Sequence, residues 1–393
     1  MESVPASTPT GPDRPPPPGR PPRPQPAGAA GAYTVLAGAL MSLVGTTWDV
    51  QWHVDVGPDT FFTLPHLVLY SGSAIAGIAS LMMVLRATFD QRAGRPADPT
   101  VGGSPVRVLG GTFTAPLGYL VAGTGGALFL LYGLLDLWWH SLYGFDAVLN
   151  SPPHVALFVS ISLTMVGGVI VFSAARAQRW GRIGLILSIP VLMTFTPITI
   201  YAFDGLSLPI DPKLAGTVFF AVCFVLMGAI TLRRRGMALS IAAVLGILQL
   251  FLWWFSPWAA GFYADYVGLP LRDNLRDLPP ELPAAIPMFM LAAALVIEAL
   301  LRLGRGRGWS VRWLPQLTGA AGGVVVSLSM LVQTSMLRGG ADGGPMGRPV
   351  TSATVMLTDA ILGLAFGALA GYLAARFAVL LHLNTSTADQ ESL

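Results

Sequence analysis

The chain has 393 residues, of which 53% are hydrophobic and only 11% are charged. Soluble domains carry about 25% charged residues, so this composition argues against an ordinary soluble protein. The net charge of +3 is too small to indicate nucleic-acid binding, and the single cysteine, Cys223, excludes an internal disulfide, a CxxCH haem attachment and a thiolate cluster. We therefore expect an integral membrane protein that contacts lipid and not nucleic acid.

The sequence begins with a Pro/Gly-rich segment, residues 1–30, which predicts a disordered cytoplasmic tail. Ten apolar runs follow, each long enough for the roughly 20 residues that a membrane helix needs. We predict an all-α polytopic bundle, with a four-helix half over 31–180, a six-helix half over 181–383 and a short cytoplasmic tail over 384–393. The ten helices are predicted near residues 32–52, 64–88, 114–142, 152–177, 182–203, 213–233, 236–257, 282–303, 314–337 and 352–381.

Positive residues alternate between the predicted loops. Arginines are concentrated in the even-numbered loops, as in Arg233–Arg235, whereas the first and third loops contain no positive residue. Because positive loops stay in the cytoplasm, we predict that both termini are cytoplasmic and that the first and third loops are extracytoplasmic. The expected location is the plasma (inner) membrane of a bacterium.

The first and third helices run into two similar segments, WDVQWHVDVGPDTFFTLPHLVLY (48–70) and LDLWWHSLYGFDAVLNSPPHVALF (135–158). Four of the five histidines of the chain fall at equivalent places in these segments. Because the matching residues are rare in this chain, we interpret the match as an internal duplication of a helical hairpin. The matched residues are Asp49, Trp52, His53, Gly57, Asp59 and Pro65-His66 in the first copy, and Asp136, Trp139, His140, Gly144, Asp146 and Pro153-His154 in the second.

Each copy contains an aspartate and a histidine four residues apart, Asp49 with His53 and Asp136 with His140. Residues at this spacing share one face of a helix, with about 5–6 Å between their Cβ atoms. A single such residue is more often an interfacial group beside an aromatic belt. A duplicated set of ionisable groups at membrane depth is instead a hypothesis of function.

The second histidine of each copy, His66 or His154, follows a proline at the predicted start of the next helix, where proline is tolerated. Thr63 and Ser151 are the expected N-caps of these helices. Each hairpin would return its second histidine toward the Asp/His pair, and imidazole with carboxylate suits Zn, Cu, Fe or Ni. The predicted metal ligands are Asp49, His53, His66, Asp136, His140 and His154.

The first motif resembles the metal-site segment of the C subunit of particulate methane and ammonia monooxygenases. The residues that match are Asp49, Trp52, His53, Asp59, Thr60, Phe62, Thr63 and His66. The resemblance implies that Asp49, His53 and His66 bind copper, for which zinc could substitute in the same ligand set. It covers roughly residues 31–180, and the six following helices have no counterpart in the C subunit.

The second motif resembles the family's second signature more loosely. The resemblance implies that Asp136 and His140 belong to an adjacent copper site with His154 close by, although the family has an asparagine where this chain has Asp136. The residues expected around the ligands are Trp52, Asp59, Thr60, Trp139 and Asp146, with tryptophans and phenylalanines lining a dry pocket.

The resemblance implies O₂-dependent hydroxylation of a small apolar or amine substrate, with other monooxygenase-type subunits or a homo-oligomer as partners. Two alternatives stay open. A transporter or metal-handling permease would use the intramembrane acids Glu298 and Asp359 as coupling sites, unless Glu298 only pairs with Arg302. A non-catalytic subunit would hold a structural metal. We expect residues 253–270 to form an aromatic interface segment with an extracytoplasmic loop.

Overall fold

The computed structural model describes residues 26–57, 59–144, 150–201, 210–273, 278–337 and 352–384. Within these residues the chain is almost entirely helical, and a small antiparallel hairpin of strands β1 (Pro105–Val108) and β2 (Phe113–Pro116) precedes the third helix. The helices are α1 (Pro26–Asp55), α2 (Leu64–Arg92), α3 (Leu117–Tyr143), α4 (Pro152–Ala174), α5 (Arg179–Tyr201), α6 (Pro212–Leu232), α7 (Met237–Val267), α8 (Glu281–Ala285), α9 (Met290–Gly306), α10 (Leu314–Leu337) and α11 (Ala353–Leu383).

Ten candidate membrane spans are present in the described part of the chain, with α8 and α9 together forming one of them. Large apolar side chains remain on the outside of the bundle, such as Leu130 and Leu134 of α3, which are 66% and 67% exposed. Such a surface is unfavourable in water and suits a lipid environment. The predicted class, an all-α polytopic membrane bundle, is therefore confirmed.

One continuous apolar core joins the two predicted halves of the chain. It includes Leu43 of α1 and Phe172 of α4, together with Leu226 of α6 and Ile297 of α9. Helix α1 packs against α5 and α7 as well as against its hairpin partner α2. The six-helix half therefore supports the first four helices directly.

Two predicted boundaries are wrong. Helix α1 begins at Pro26, so residues 26–30 are helical and only residues 1–25 of the predicted tail lie outside the described residues. Helix α7 continues through Pro257 to Val267, where the sequence had predicted an interface segment and a loop. A proline is tolerated inside a membrane helix when neighbouring groups support the backbone.

The eighth predicted span is broken between α8 and α9. Its backbone carbonyls accept hydrogen bonds from two buried glutamines: Gln249 of α7 donates to Pro283 and Ile286, and Gln333 of α10 donates to Ala284 and Ile286. Backbone groups released from a helix at membrane depth need such partners. The break is therefore a stabilised structural feature.

Candidate metal centre

The α1–α2 hairpin brings the first motif together. The hydroxyl of Ser42 on α1 lies 3.0 Å from that of Ser73 on α2 and donates to the backbone oxygen of Leu69. Just after α1, Gly57 has a φ of +104°, a backbone conformation that favours glycine. The chain therefore turns sharply after α1 and returns with the Pro65-His66 pair at the start of α2.

Four side chains converge in this first centre. Nε2 of His66 lies 3.0 Å from Oδ1 of Asp49 and 3.4 Å from Oδ2 of Asp59. Nε2 of His53 lies 3.4 Å from the same Oδ2 of Asp59. Burial raises the pKa of Asp59 above its usual range, although His53 and His66 act in the opposite direction. We define Asp49, His53, Asp59 and His66 as the first centre.

Backbone carbonyls orient both imidazole rings of the first centre. Nδ1 of His66 lies 3.0 Å from the oxygen of Thr60, and Nδ1 of His53 lies 3.0 Å from the oxygen of Asp49. Because a carbonyl oxygen only accepts, Nδ1 carries the hydrogen, and a neutral ring then presents a lone pair at Nε2. This is the arrangement by which proteins commonly prepare histidine to bind a metal.

The α3–α4 hairpin forms a second centre of the same kind. Oδ1 of Asp136 lies 3.4 Å from Nε2 of His140 and 3.3 Å from Nε2 of His154. Nδ1 of His140 lies 2.9 Å from the oxygen of Gly144, so Nε2 of His140 again faces the carboxylate. We define Asp136, His140 and His154 as the second centre.

The donor spacing in both centres fits a shared cation. Two donors that each lie about 2.0–2.1 Å from one tetrahedral ion are about 3.3–3.4 Å apart. The separations between Nε2 and carboxylate oxygen atoms are 3.0–3.4 Å. Moreover, one oxygen each of Asp49, Asp59 and Asp136 is buried without a hydrogen-bond partner. Buried carboxylate oxygens normally have such partners, so the residues present fit a metal ion.

Both centres line one cavity of about 520 Å³. Its apolar wall is formed by Leu69, Leu157, Phe158 and Ile161. The six-helix half also contributes to the lining, through the segment that follows α7. The residues that it contributes are Arg272, Asp273 and Glu281.

The far end of α7 packs against the helix that carries the first Asp/His pair. Tyr263 of α7 contacts the rings of Trp48 and Trp52 on α1, with centroid distances of 5.9 and 4.9 Å. Its hydroxyl lies 3.4 Å from the backbone nitrogen of Leu64, which begins α2. The ten residues of α7 beyond its predicted end therefore support the first centre.

Of the residues predicted to surround the ligands, some contact the first centre and others pack away from the cavity. Asp59 lies among the donor atoms, and the carbonyl of Thr60 orients His66. Trp52 is 1% exposed and packs against α7, and Trp139 packs against Tyr143. Neither tryptophan lines the cavity, so the predicted lining by these two rings is wrong, whereas Phe158 does line it. The equivalent of Asp59 in the second motif, Asp146, lies outside the described residues.

The predicted caps have the expected positions but not the expected bonds. Thr63 and Ser151 are the N-cap residues of α2 and α4, yet neither side chain caps its helix. The Thr63 hydroxyl instead donates to the oxygen of Thr60, the same carbonyl that orients His66. Thr63 therefore stabilises the loop that carries Asp59.

Sequence reasoning missed Tyr70 and the contribution of the six-helix half. The ring of Tyr70 stacks on His66 with a centroid distance of 5.7 Å and lines the cavity. Its position four residues after His66 was a usable signal, because that spacing places both on one helix face. Arg272 and Glu281 gave no such signal, since they lie more than 200 residues further along the chain.

The intramembrane acid Glu298 bonds to neighbouring groups of the bundle and not to the metal centres. It accepts hydrogen bonds from Arg302, as predicted, and from the backbone nitrogen of Gly236 just before α7, at 3.1 and 2.6 Å. A carboxylate at a helix N-terminus is stabilising. Neither Glu298 nor Asp359, which is 3% exposed, lines the cavity that contains the two centres.

Comparisons with protein-family models, with curated proteins and with solved structures gave no match to this chain.

Proposed function

We propose that this chain is a copper-binding membrane protein related to the C subunit of particulate methane and ammonia monooxygenases. In this proposal the first centre binds through Asp49, His53 and His66, and the second centre binds through Asp136, His140 and His154. Both open toward the extracytoplasmic side of a bacterial plasma membrane, with the termini in the cytoplasm. Other monooxygenase-type subunits or further copies of the chain would complete the assembly.

The observation that carries the proposal is the convergence of imidazole nitrogens on buried carboxylate oxygens. In each centre, Nε2 atoms face a buried carboxylate oxygen that has no hydrogen-bond partner. Nitrogen and oxygen donors without thiolate suit Cu(II) or Zn(II). The choice of copper rests on the resemblance of the first motif, and zinc fits the same donors.

The proposed reaction is O₂-dependent hydroxylation of a small apolar or amine substrate. Copper bound at the centres would supply the activation of O₂. The chain's own residues would hold the ion in a fixed geometry through His66 and its partner, the Thr60 carbonyl. The apolar wall of the cavity, which includes Leu157 and Phe158, would bind an apolar substrate and exclude water from the centres.

The permease alternative has less support. It predicts a polar path from the centres to Glu298 or Asp359, but Glu298 is bonded at the opposite end of α7 from the cavity. Broken helices in transporters use free carbonyls to bind ions. The carbonyls of Pro283 and Ile286 at the α8–α9 break instead accept hydrogen bonds from glutamine.

Metal content tests the proposal. The full chain, purified in detergent and stripped with a chelator, is reloaded with copper and analysed by elemental analysis. We expect stoichiometric copper in the wild type and a clear loss in Asp49→Ala and His53→Ala. His382→Ala is the matched control, because this histidine bonds to Ala378 near the end of α11 and does not line the cavity.

Two outcomes would count against the proposal. A wild type without stoichiometric copper, with Asp49→Ala and His53→Ala unchanged from His382→Ala, would refute metal binding at the first centre. A chain that binds copper but forms no hydroxylated product from short alkanes or ammonia, with its partner subunits present, would instead favour a structural metal site.

A further inference from the structure

We infer that Asp59 is a direct metal ligand of the first centre, which therefore has four protein donors. This inference rests on the proposed function and deepens it. The resemblance supplies only Asp49, His53 and His66 for this centre. The geometry adds a second carboxylate.

The position of Asp59 supports direct contact with the ion. Its Oδ2 lies 3.4 Å from Nε2 of His53 and 3.4 Å from Nε2 of His66. Each separation matches the edge of a coordination tetrahedron with bonds of about 2.0–2.1 Å. A carboxylate that only oriented a ligand would instead bond to Nδ1 of a ring, and those atoms already face the carbonyls of Asp49 and Thr60.

The burial of Asp59 gives an independent reason. Its side chain is only 3% exposed, and Oδ2 accepts no hydrogen bond. A carboxylate oxygen left in this state is costly unless a cation or a proton satisfies it. The oxygen lies 3.4 Å from Nε2 of each ring, so a cation shared with His53 and His66 would satisfy it.

The six-helix half holds this loop in place. The backbone nitrogen of Arg272 donates to the oxygen of Asp55 at 2.8 Å, and its guanidinium contacts Gly57. These contacts fix the turn between α1 and Asp59. Asp59 therefore follows a turn that Arg272 holds in place at the end of α1.

Two anionic ligands change which ions the first centre prefers. Asp49 and Asp59 together bring a charge of −2 to two neutral imidazoles, which balances a divalent ion. Cu(I) prefers softer ligands than carboxylate, whereas mixed nitrogen and oxygen donors suit Cu(II) and Zn(II). The first centre is thus expected to bind divalent ions in preference to Cu(I).

A cysteine at position 59 tests direct contact. Cobalt(II) is added to the metal-free full chain, in a background where His154→Ala disables the second centre. Only a thiolate bonded to the ion gives a sulfur-to-cobalt charge-transfer band in the near ultraviolet. The sole native cysteine, Cys223, is buried in α6, so the chain with Asp59 intact should lack this band and Asp59→Cys should show it.

The matched control is Asp55→Cys, which changes an acid four residues away that bonds to Gln51 and does not line the cavity. The band should be absent from this variant. In parallel, Asp59→Asn should weaken cobalt binding by more than about 100-fold, since loss of a carboxylate that only supports a ligand costs about 10–100-fold.

The outcomes separate this inference from the proposed function. If the chain with Asp59 intact binds no cobalt, the metal site itself is wrong. If it binds cobalt, while Asp59→Cys gives no band and Asp59→Asn binds as Asp55→Asn does, Asp59 is not a ligand and the metal site still stands. Circular dichroism of each variant excludes misfolding as the cause of a loss.

Discussion

The substitution Asp49→Asn separates a metal centre from a buried ion pair, because the two predict opposite effects on the metal-free protein. Oδ1 of Asp49 is buried, accepts no hydrogen bond and lies 3.0 Å from Nε2 of His66. An unsatisfied buried polar atom costs about 1–3 kcal/mol. Asparagine keeps the shape of the side chain and adds an N–H that can donate to Nε2. The free energy of unfolding of metal-free Asp49→Asn should therefore equal that of the wild type or exceed it by up to about 1–3 kcal/mol.

The metal-loaded protein should respond in the other direction. At a free metal concentration 100-fold above its Kd, binding stabilises the wild type by about 2.7 kcal/mol. If the lost charge of Asp49 weakens binding about 100-fold, only about 0.4 kcal/mol of that stabilisation remains at the same concentration. The variant should therefore lose most of the stabilisation that metal at the first centre provides and none of the intrinsic stability.

The assay compares unfolding of the purified full chain in detergent with chelator and with added zinc or copper, in a background where His154→Ala disables the second centre. Asp55→Asn serves as the control, and its effect should be the same in both conditions. If His66 were a cation paired with Asp49, breaking the buried pair would cost about 3–5 kcal/mol with or without metal. Equal destabilisation of Asp49→Asn in both conditions would refute the metal centre.

Three further predictions follow from the same structure. Trp52→Ala should lower the free energy of unfolding by about 3–5 kcal/mol, because this ring is 1% exposed and packs against α7. Trp138→Ala, whose ring is 54% exposed, should change it by less than about 0.5 kcal/mol. Glu298→Gln should lower stability by about 1–3 kcal/mol through its weakened bonds before α7, with metal content unchanged. Because burial raises the pKa of Asp59 and a metal needs the deprotonated carboxylate, metal affinity measured by equilibrium dialysis should fall with decreasing pH already above the usual aspartate pKa of about 3.9. The slope of log affinity against pH should be shallower in Asp59→Asn, although this variant binds metal more weakly throughout.

The sequence was sufficient to predict the helical bundle and the two groups of metal-ligating side chains. Span length and composition predicted ten membrane helices, because lipid allows few alternatives to a helix. The duplicated Asp-x₃-His spacing predicted which side chains share a helix face, and the prolines before His66 and His154 predicted where α2 and α4 begin. These are local signals that do not depend on the rest of the fold.

The errors arose where distant contacts override local ones. Pro257 is a stop signal in an isolated helix, yet α7 continues to Val267 because its last turns pack against Trp48 and Trp52. The break after α8 was missed because its stabilising partners, Gln249 and Gln333, lie on other helices. Such contacts cannot be read from the segment itself.

These long-range contacts also explain why the first centre depends on the six-helix half. The turn that carries Asp59 is anchored within its own hairpin, where the Thr63 hydroxyl bonds to the Thr60 carbonyl, and from outside by Arg272. Beside this turn, the backbone nitrogen of Glu281 donates to Gln51 on α1. Donors must be held closely in place to bind a metal tightly, and an isolated hairpin would lack the contacts of Arg272 and Glu281 with this part of α1. The six additional helices therefore contribute to the geometry of the centre without supplying any of its predicted ligands.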